Sequence, residues 1–297
     1  MIDKLDFLLA LAREEHFGRA AESRGVTQPT LSAGIKQLEE TLGVLLVNRG
    51  SRFQSFTPEG ERVLDWARRI VGDSRAMRQE ISASRHGLTG RLRIAAIPTA
   101  LAMVASLTTP FRMRHPNVQF TILSRTSVET LAELENLEID AGITYLDNEP
   151  LGKVNTVPLY REHYRLLTSA DAPLGDRDKV TWAEVAQVPL CLLTPDMQNR
   201  RIIDDLLRSA GFAPQTTLES NSMITLFAHV RTGRWASVMP AKLAETLGLT
   251  ALIRTIPIVE PEAVHTIGLV VPEREPMTPL TAALVAEAQR VAPTLGD

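Results

Sequence analysis

The sequence predicts an α/β protein with a helical module at its N-terminus, a long connecting helix and a larger domain of alternating strands and helices. Three observations predict it. Residues 1–57 read as three short helices and a small hairpin, with a tight turn between the second and third helices. An apolar seam then recurs in steps of four and three over residues 63–81. Beyond the break at His86-Gly87-Leu88-Thr89-Gly90, strands and helices alternate as βαβαβ, the pattern of a parallel sheet with helices on its faces.

In chain order, Leu5, Leu8, Leu9 and Ala12 recur at helical spacing and predict a first helix that ends at Phe17-Gly18. Arg19 to Ser23 is a second short helix with Ala20 and Ala21 facing inward. Gly25 supplies the permissive backbone of the turn that follows. Thr27 caps a third helix and Pro29 sits in its first turn, where a missing N–H costs nothing. Leu31, Ile35, Leu38 and Leu42 line its buried side, and Gly43 stops it. Leu45–Asn48 and Arg52–Phe56, joined by Arg49-Gly50-Ser51, read as the hairpin, or wing.

Thr57-Pro58 opens a helix that runs to about Arg85. Its seam of Val63, Ala67, Ile70, Ser74, Met77 and Ile81 predicts pairing with a second copy of the chain, because no partner helix lies nearby in sequence. Strands are expected at Leu92–Ile97, Val118–Leu123, Ala141–Thr144, Tyr164–Leu167, Leu190–Leu193, Ala236–Met239 and Thr266–Val271. Helices are expected at Ala100–Arg114, Ser127–Leu137, Asn199–Ala210, Ser222–Thr232, Ala241–Leu247 and Thr278–Val291.

Composition narrows the function classes. The 297 residues carry a net charge of -3, so general polyanion binding by the whole chain is disfavoured. A local basic face is not: residues 1–90 hold eleven arginines and two lysines and are net +1. The one cysteine, Cys191, lies in an apolar run and reads as an inert buried thiol; it excludes an intramolecular disulfide and a cysteine-cluster metal site. The six histidines are dispersed, so no metal and no cofactor is expected. No apolar run is long enough to span a membrane. The acidic N-terminal stretch, with Asp3, Asp6, Glu14 and Glu15, lacks a signal peptide's basic start, which predicts a cytoplasmic protein.

Three short helices with a tight second turn form a helix-turn-helix, whose third helix enters the DNA major groove N-terminus first. Thr27, Gln28, Pro29, Thr30 and Ser32 are then the base readers: Gln pairs with adenine, and methyl or ring carbons meet thymine methyls. Lys36, Arg49 and Arg52 are placed for phosphates. The plainer alternative is a small helical domain with a solvated charge pattern.

The stretch FGRAAESRGVTQPTLSAGIKQLEETLGVLLVNR, followed by FTPEGERVL, resembles the N-terminal domain of LysR-type transcriptional regulators. The matching positions include Ala20-Ala21, Val26-Thr27-Gln28-Pro29, Leu31-Ser32, Leu42-Gly43, Arg49 and Thr57-Pro58-Glu59-Gly60. The resemblance implies a winged helix-turn-helix over 1–57, a linker and dimerisation helix with hinge over 58–90, and a two-lobed effector domain of periplasmic-binding-protein type over 91–297. Lobe one would be 91–161 with 266–297, and lobe two 162–265. It implies binding of double-stranded promoter DNA, a small effector between the lobes, and assembly as dimers and tetramers. Two departures stand out. Ala33-Gly34 replaces the long polar side chain common after the Leu-Ser pair, and Val47 replaces a common Phe, which predicts a looser wing. Gly34 inside a helix costs about 1 kcal/mol against Ala, and a close approach to DNA or to the second helix would explain it.

Ligands of open α/β sheets sit at the carboxyl ends of strands, near helix N-termini. Thr99-Ala100, Thr126-Ser127 and Asn221-Ser222 occupy such junctions, and the loop from Thr194 to Arg201 adds Gln198 and Arg200. Hydroxyls, amides and a guanidinium together predict a small anionic effector. The alternative for each hydroxyl is a simple helix cap. Two other readings of the whole chain are a solute-binding protein and an α/β enzyme. The first is opposed by the N-terminal module, the second by the lack of a nucleophile–base pair or metal cluster in the sequence.

Overall fold

The computed structural model describes residues 1–49, 53–246 and 252–296. Its contacts divide the chain into two units. The first holds Met1–Leu88 with the short segments Glu135–Glu138 and Arg274–Leu280; the second holds Thr89–Leu134, Ile139–Glu273 and the residues from Thr281 on.

The first unit begins with α1 (Ile2–Glu14), α2 (Phe17–Ser23) and α3 (Gln28–Leu42). Leu5, Leu8 and Leu9 of α1 meet Ala20 and Ala21 of α2 and Leu31, Ile35 and Leu38 of α3 in one apolar core. Phe17 and Gly18 do not end the first helix. Glu15 ends it in the left-handed conformation, φ 48°, and Phe17 already begins α2. The cause is His16, whose Nδ1 accepts from the backbone N–H of Gly18 (3.1 Å) and Arg19 (3.3 Å) and so caps α2.

Gly34 is explained by α1. A Cβ there would lie 2.7 Å from the Phe7 ring, so the glycine lets α1 and α3 close together. The wing is a two-stranded antiparallel pair, β1 (Val47–Arg49) and β2 (Phe53–Phe56), with Val47 opposite Phe56. Its connection, residues 50–52, lies outside the described residues. Val47 does not loosen the wing: it is fully buried in the core, beside an edge-to-face run of Phe17, Phe53 and Phe56. Glu39, buried on α3, accepts from the N–H groups of Leu46 (3.0 Å) and Val47 (3.3 Å) and ties the wing to that helix.

Helix α4 (Pro58–His86) follows. The Thr57 hydroxyl accepts from Gly60 N–H (2.9 Å) and donates to the Leu45 carbonyl (2.6 Å), so one group ends the wing and starts the helix. Gly60 leaves room for this join, because a Cβ there would fall 2.1 Å from the Leu46 carbonyl oxygen.

The second unit opens with β3 (Gly90–Ala96), a 3-10 turn at Leu101–Met103, α5 (Val104–Arg114), β4 (Val118–Ser124), α6 (Ser127–Glu135) and β5 (Ala141–Tyr145). Strand β3 runs parallel to both β4 and β5. There follow β6 (Val154–Ser169), β7 (Val180–Thr181), α7 (Trp182–Val185), β8 (Leu190–Leu193), α8 (Gln198–Ser209), β9 (Thr216–Ser220) and α9 (Met223–Val230). The unit finishes with β10 (Ser237–Pro240), α10 (Ala241–Thr246), β11 (Ile253–Val259), β12 (Val264–Pro272) and α11 (Pro279–Leu295). The expected Leu247 at the end of α10 lies outside the described residues.

The sheet is mixed rather than all parallel, with strand order β4-β3-β5-β12-β6-β11-β7 and β10 also on β6. Strand β12 is antiparallel to β5 and β6, and β10 and β11 are antiparallel to β6. Strands β11 and β12 are joined by a short turn with no crossover helix, and β6 receives both antiparallel on its two halves. Strand β6 changes neighbour along its length. Val154–His163 pairs with β12, and Tyr164 onward pairs with β10 and β11. It thereby joins two lobes, one built on β3, β4, β5 and β12, the other on β7, β10 and β11 with the parallel pair β8–β9.

Candidate DNA-reading face and effector site

Helix α3 buries Leu31, Gly34, Ile35 and Leu38, which leaves its opposite side and first turn to solvent. Thr27, Gln28, Pro29, Thr30 and Lys36 are exposed and Ser32 is half-buried. The Thr27 hydroxyl accepts from Thr30 N–H (3.4 Å) and lies 2.9 Å from the Thr30 hydroxyl, which fixes the first turn. Lys36 Nζ stands 4.0 Å from Glu40, a loose solvated pair that leaves the ammonium accessible. Of Arg49 only the backbone, at the end of β1, is described, and Arg52 lies outside the described residues.

The apolar seam of α4 is divided. Ala67 is fully buried in the core of its own unit, and Val63 packs against that core with Leu64 and Val71. Those two do not belong to an open pairing surface, because the first half of α4 must cover α1. Ser74 is buried as well. Ile70, Met77 and Ile81 remain 38, 55 and 51% exposed, and Trp66, which the heptad reading passed over, is 60% exposed. On a helical projection these four fall on one side, next to Ala67 and away from Leu64 and Val71.

In the second unit, Thr99 and Ser127 follow the carboxyl ends of neighbouring parallel strands β3 and β4. Both are nearly inaccessible, at 1 and 3% exposure, and neither hydroxyl has a hydrogen-bond partner. Buried hydroxyls without partners are uncommon and mark places where a ligand or water completes the bonding. Their expected companions are spent. The Ala100 N–H donates to the Ile97 carbonyl (2.9 Å). Thr126 forms a capping box with Glu129: its hydroxyl accepts from Glu129 N–H (3.1 Å) and its N–H donates to the Glu129 carboxylate (2.8 Å). Ser222 caps α9 by accepting from Thr225 N–H (3.4 Å), while Asn221 beside it is exposed.

Arg200 is not a free anion ligand. Its buried guanidinium donates to Asp204 (2.8 Å), Glu219 (2.7 Å) and the Leu193 carbonyl (2.8 Å). Arg201 is held bidentately by Glu149 at 2.8 Å through each contact. Gln198 donates to the Asp147 carbonyl (3.3 Å). The physical reason at Arg200 is that its guanidinium is buried, where a charge demands a counter-charge, and the chain supplies one; Arg201 is paired at a partly exposed position.

Sequence reasoning missed a buried polar cluster at the β6 crossing. The Tyr145 hydroxyl donates to the Glu162 carboxyl and accepts from Asn199 Nδ2 (3.1 Å). Burial pushes the Glu162 carboxyl up to about 8 and raises Tyr145 and Tyr164 above the ordinary phenol range. The one available signal was the alternation Tyr160-x-Glu162-x-Tyr164 within a strand. Cys191 is buried and its thiol is pushed up to about 11 by burial. Among the described residues, no group of three or more His, Cys, Asp or Glu is placed to hold a metal, and no helix is long and apolar enough to cross a membrane.

A recognition helix and wing ahead of a two-lobed α/β domain define a DNA-binding regulator with an effector-binding domain. Residues 2–61 match the family described as bacterial regulatory helix-turn-helix protein, lysR family, and residues 85–293 match the LysR substrate binding domain. The chain belongs to the LysR family of transcriptional regulators. It is 30% identical over 270 residues to the DNA-binding transcriptional dual regulator OxyR of Escherichia coli K12, covering 91% of this chain and 88% of that protein. It is 28% identical over 270 residues to the hydrogen peroxide-inducible genes activator of Haemophilus influenzae, covering 91% and 89%. A full-length OxyR variant of Pseudomonas aeruginosa superposes with a TM-score of 0.76 at 27% identity, covering 99% of this chain and 96% of that one. CbnR in complex with its target DNA shares the fold, with a TM-score of 0.61, 22% identity and coverage of 98% and 100%.

Proposed function

We propose that this regulator binds promoter DNA as a dimer, acts in the cytoplasm, and changes its DNA-bound arrangement when a small polar effector enters its second unit. The observation that carries the DNA reading is the exposed first turn of α3, where Gln28, Pro29 and Thr30 surround a capped and rigid helix start. Gln28, Thr30 and Ser32 read base edges; Lys36, Arg49 and Arg52 meet phosphates. The dimer forms along α4 through Trp66, Ile70, Met77 and Ile81, and the dimers pair into tetramers. The functional division is a DNA-binding part over 1–57, a linker over 58–90 and an effector part over 91–297.

The unpartnered hydroxyls of Thr99 and Ser127 support the effector site, with Asn221 as its third polar group. Glu129 already places a carboxylate at the N-terminus of α6, and Arg200 and Arg201 are paired with acids, which favours a neutral polar effector with hydroxyl or carbonyl groups over the expected anion. Relatives are named for hydrogen peroxide, but the single thiol of this chain is buried and un-ionised at neutral pH, which favours a non-thiol signal.

Quantitative binding to the DNA upstream of the chain's own gene tests the reading. Gln28→Ala is expected to weaken specific binding by about 1–3 kcal/mol and relax preference at one base pair. Lys36→Ala is expected to weaken all sequences alike and to flatten the salt dependence. Identical specificity profiles for the two variants would contradict the division between base and phosphate contacts.

A further inference from the structure

All three tyrosines of the chain, Tyr145, Tyr160 and Tyr164, gather round the carboxyl group of Glu162. Tyr160, Glu162 and Tyr164 alternate along one face of β6, beside the point where that strand passes from one lobe to the other. Tyr145 ends β5 in the first lobe, and Asn199 lies in the first turn of α8 in the second. The chain Asn199–Tyr145–Glu162 therefore joins both lobes at the crossing. Two contacts flank it, Gln198 to the Asp147 carbonyl and Arg201 to Glu149. Together they fasten the start of α8 to residues 145–149.

Glu162 is 0% exposed, and its Oε2 has no partner. The groups facing it are Tyr145 from β5, Tyr160 and Tyr164 from its own strand, Asp147 from the turn after β5, and His265, its register partner on β12. His265 makes no direct pair with it: its Nδ1 lies 2.9 Å from Asp147, whose other oxygen accepts from Thr266 N–H (2.7 Å). None of the ion pairs among the described residues includes Glu162. A buried carboxylate with a second acid nearby and no directly paired cation is costly, which favours the neutral acid, with Oε1 accepting from Tyr145.

We propose that Glu162 is a proton-operated latch between the two lobes: neutral, it keeps the Asn199–Tyr145–Glu162 chain closed; ionised, it draws water into the crossing and frees the first turn of α8. The proton passes to solvent, and no covalent bond other than O–H changes. The latch does not depend on where the effector binds. Burial holds the carboxyl near 8, so the transition lies just above neutral pH.

The experiment is a pH titration of the full-length protein with two readouts. Because the chain has no tyrosine elsewhere, tyrosine ultraviolet difference absorbance reports this cluster alone. A one-proton step is expected at about pH 8 and is expected to vanish in Glu162→Gln. Amide hydrogen exchange of residues 198–202, corrected for its intrinsic pH dependence, is expected to rise roughly tenfold across the same step, as in local opening. Tyr145→Phe keeps the carboxyl but removes its donor, so the step is expected to move to higher pH; this variant decides the matter should Glu162→Gln not fold. The proposal is overturned by the absence of a step, by a step that survives Glu162→Gln, or by a step with unchanged exchange in α8.

Discussion

Thr57 and Arg200 show how differently the two units employ a polar side chain. Thr57 accepts from an N–H three residues on and donates to a carbonyl twelve residues back. Thr27 and His16 likewise act within two or three residues. In the second unit Arg200 needs Glu219, Tyr145 needs Asn199 fifty-four positions away, and Asp147 needs His265 a further stretch along the chain. At these positions local caps fix the starts of α2, α3 and α4, whereas the start of α8 is fixed by pairings between distant segments.

The sharpest way to break this contrast is at Arg200. Arg200→Met removes the cation between Asp204 and Glu219 and leaves a mostly buried Asp204 with only the more distant Arg208, at 4.0 Å. A stability loss of about 3 kcal/mol in urea unfolding is expected. Unchanged stability with a lost effector response would instead restore Arg200 to the ligand site. Gly60→Ala is expected to cost about 1–3 kcal/mol, because its Cβ would press on the Leu46 carbonyl and force wing and helix apart. A neutral effect, measured the same way, would mean that the join is loose. Ile70→Asp places a charge in the exposed stripe of α4, with little expected change in monomer stability but loss of the dimer in sedimentation. An unchanged oligomer would remove that stripe from the pairing surface. Ser127→Ala deletes a hydroxyl that bonds to nothing, so a stability change within about 0.5 kcal/mol is expected by thermal unfolding. A large loss would show the hydroxyl to be structural.

The same contrast explains what was legible in the sequence. The caps at Thr27 and Thr57, the stop at Gly43 and the core leucines of α1 follow from spacing alone. His16 escaped because its ring nitrogen does work usually given to a hydroxyl or carboxylate. The seam of α4 was read as one surface, although periodicity does not say which neighbour fills it; Ala67 went to the chain's own core and Ile70 to solvent. In the second unit, Thr99 and Ser127 were legible as strand-end hydroxyls. Arg200 was misread because its partners, Asp204 and Glu219, come from a helix turn and another strand. Glu162 was passed over because nothing in a strand's local pattern tells that three tyrosines from two strands will close round it.

The most direct measurement is a fluorescence anisotropy titration of the full-length protein against DNA from upstream of its own gene and against unrelated DNA of equal length, at one fixed salt concentration. Preference for the upstream DNA by at least roughly a thousandfold is expected of a regulator that reads bases through the first turn of α3. Equal affinity for the two, with the usual steep salt dependence of phosphate contacts, would contradict sequence-specific recognition by that face.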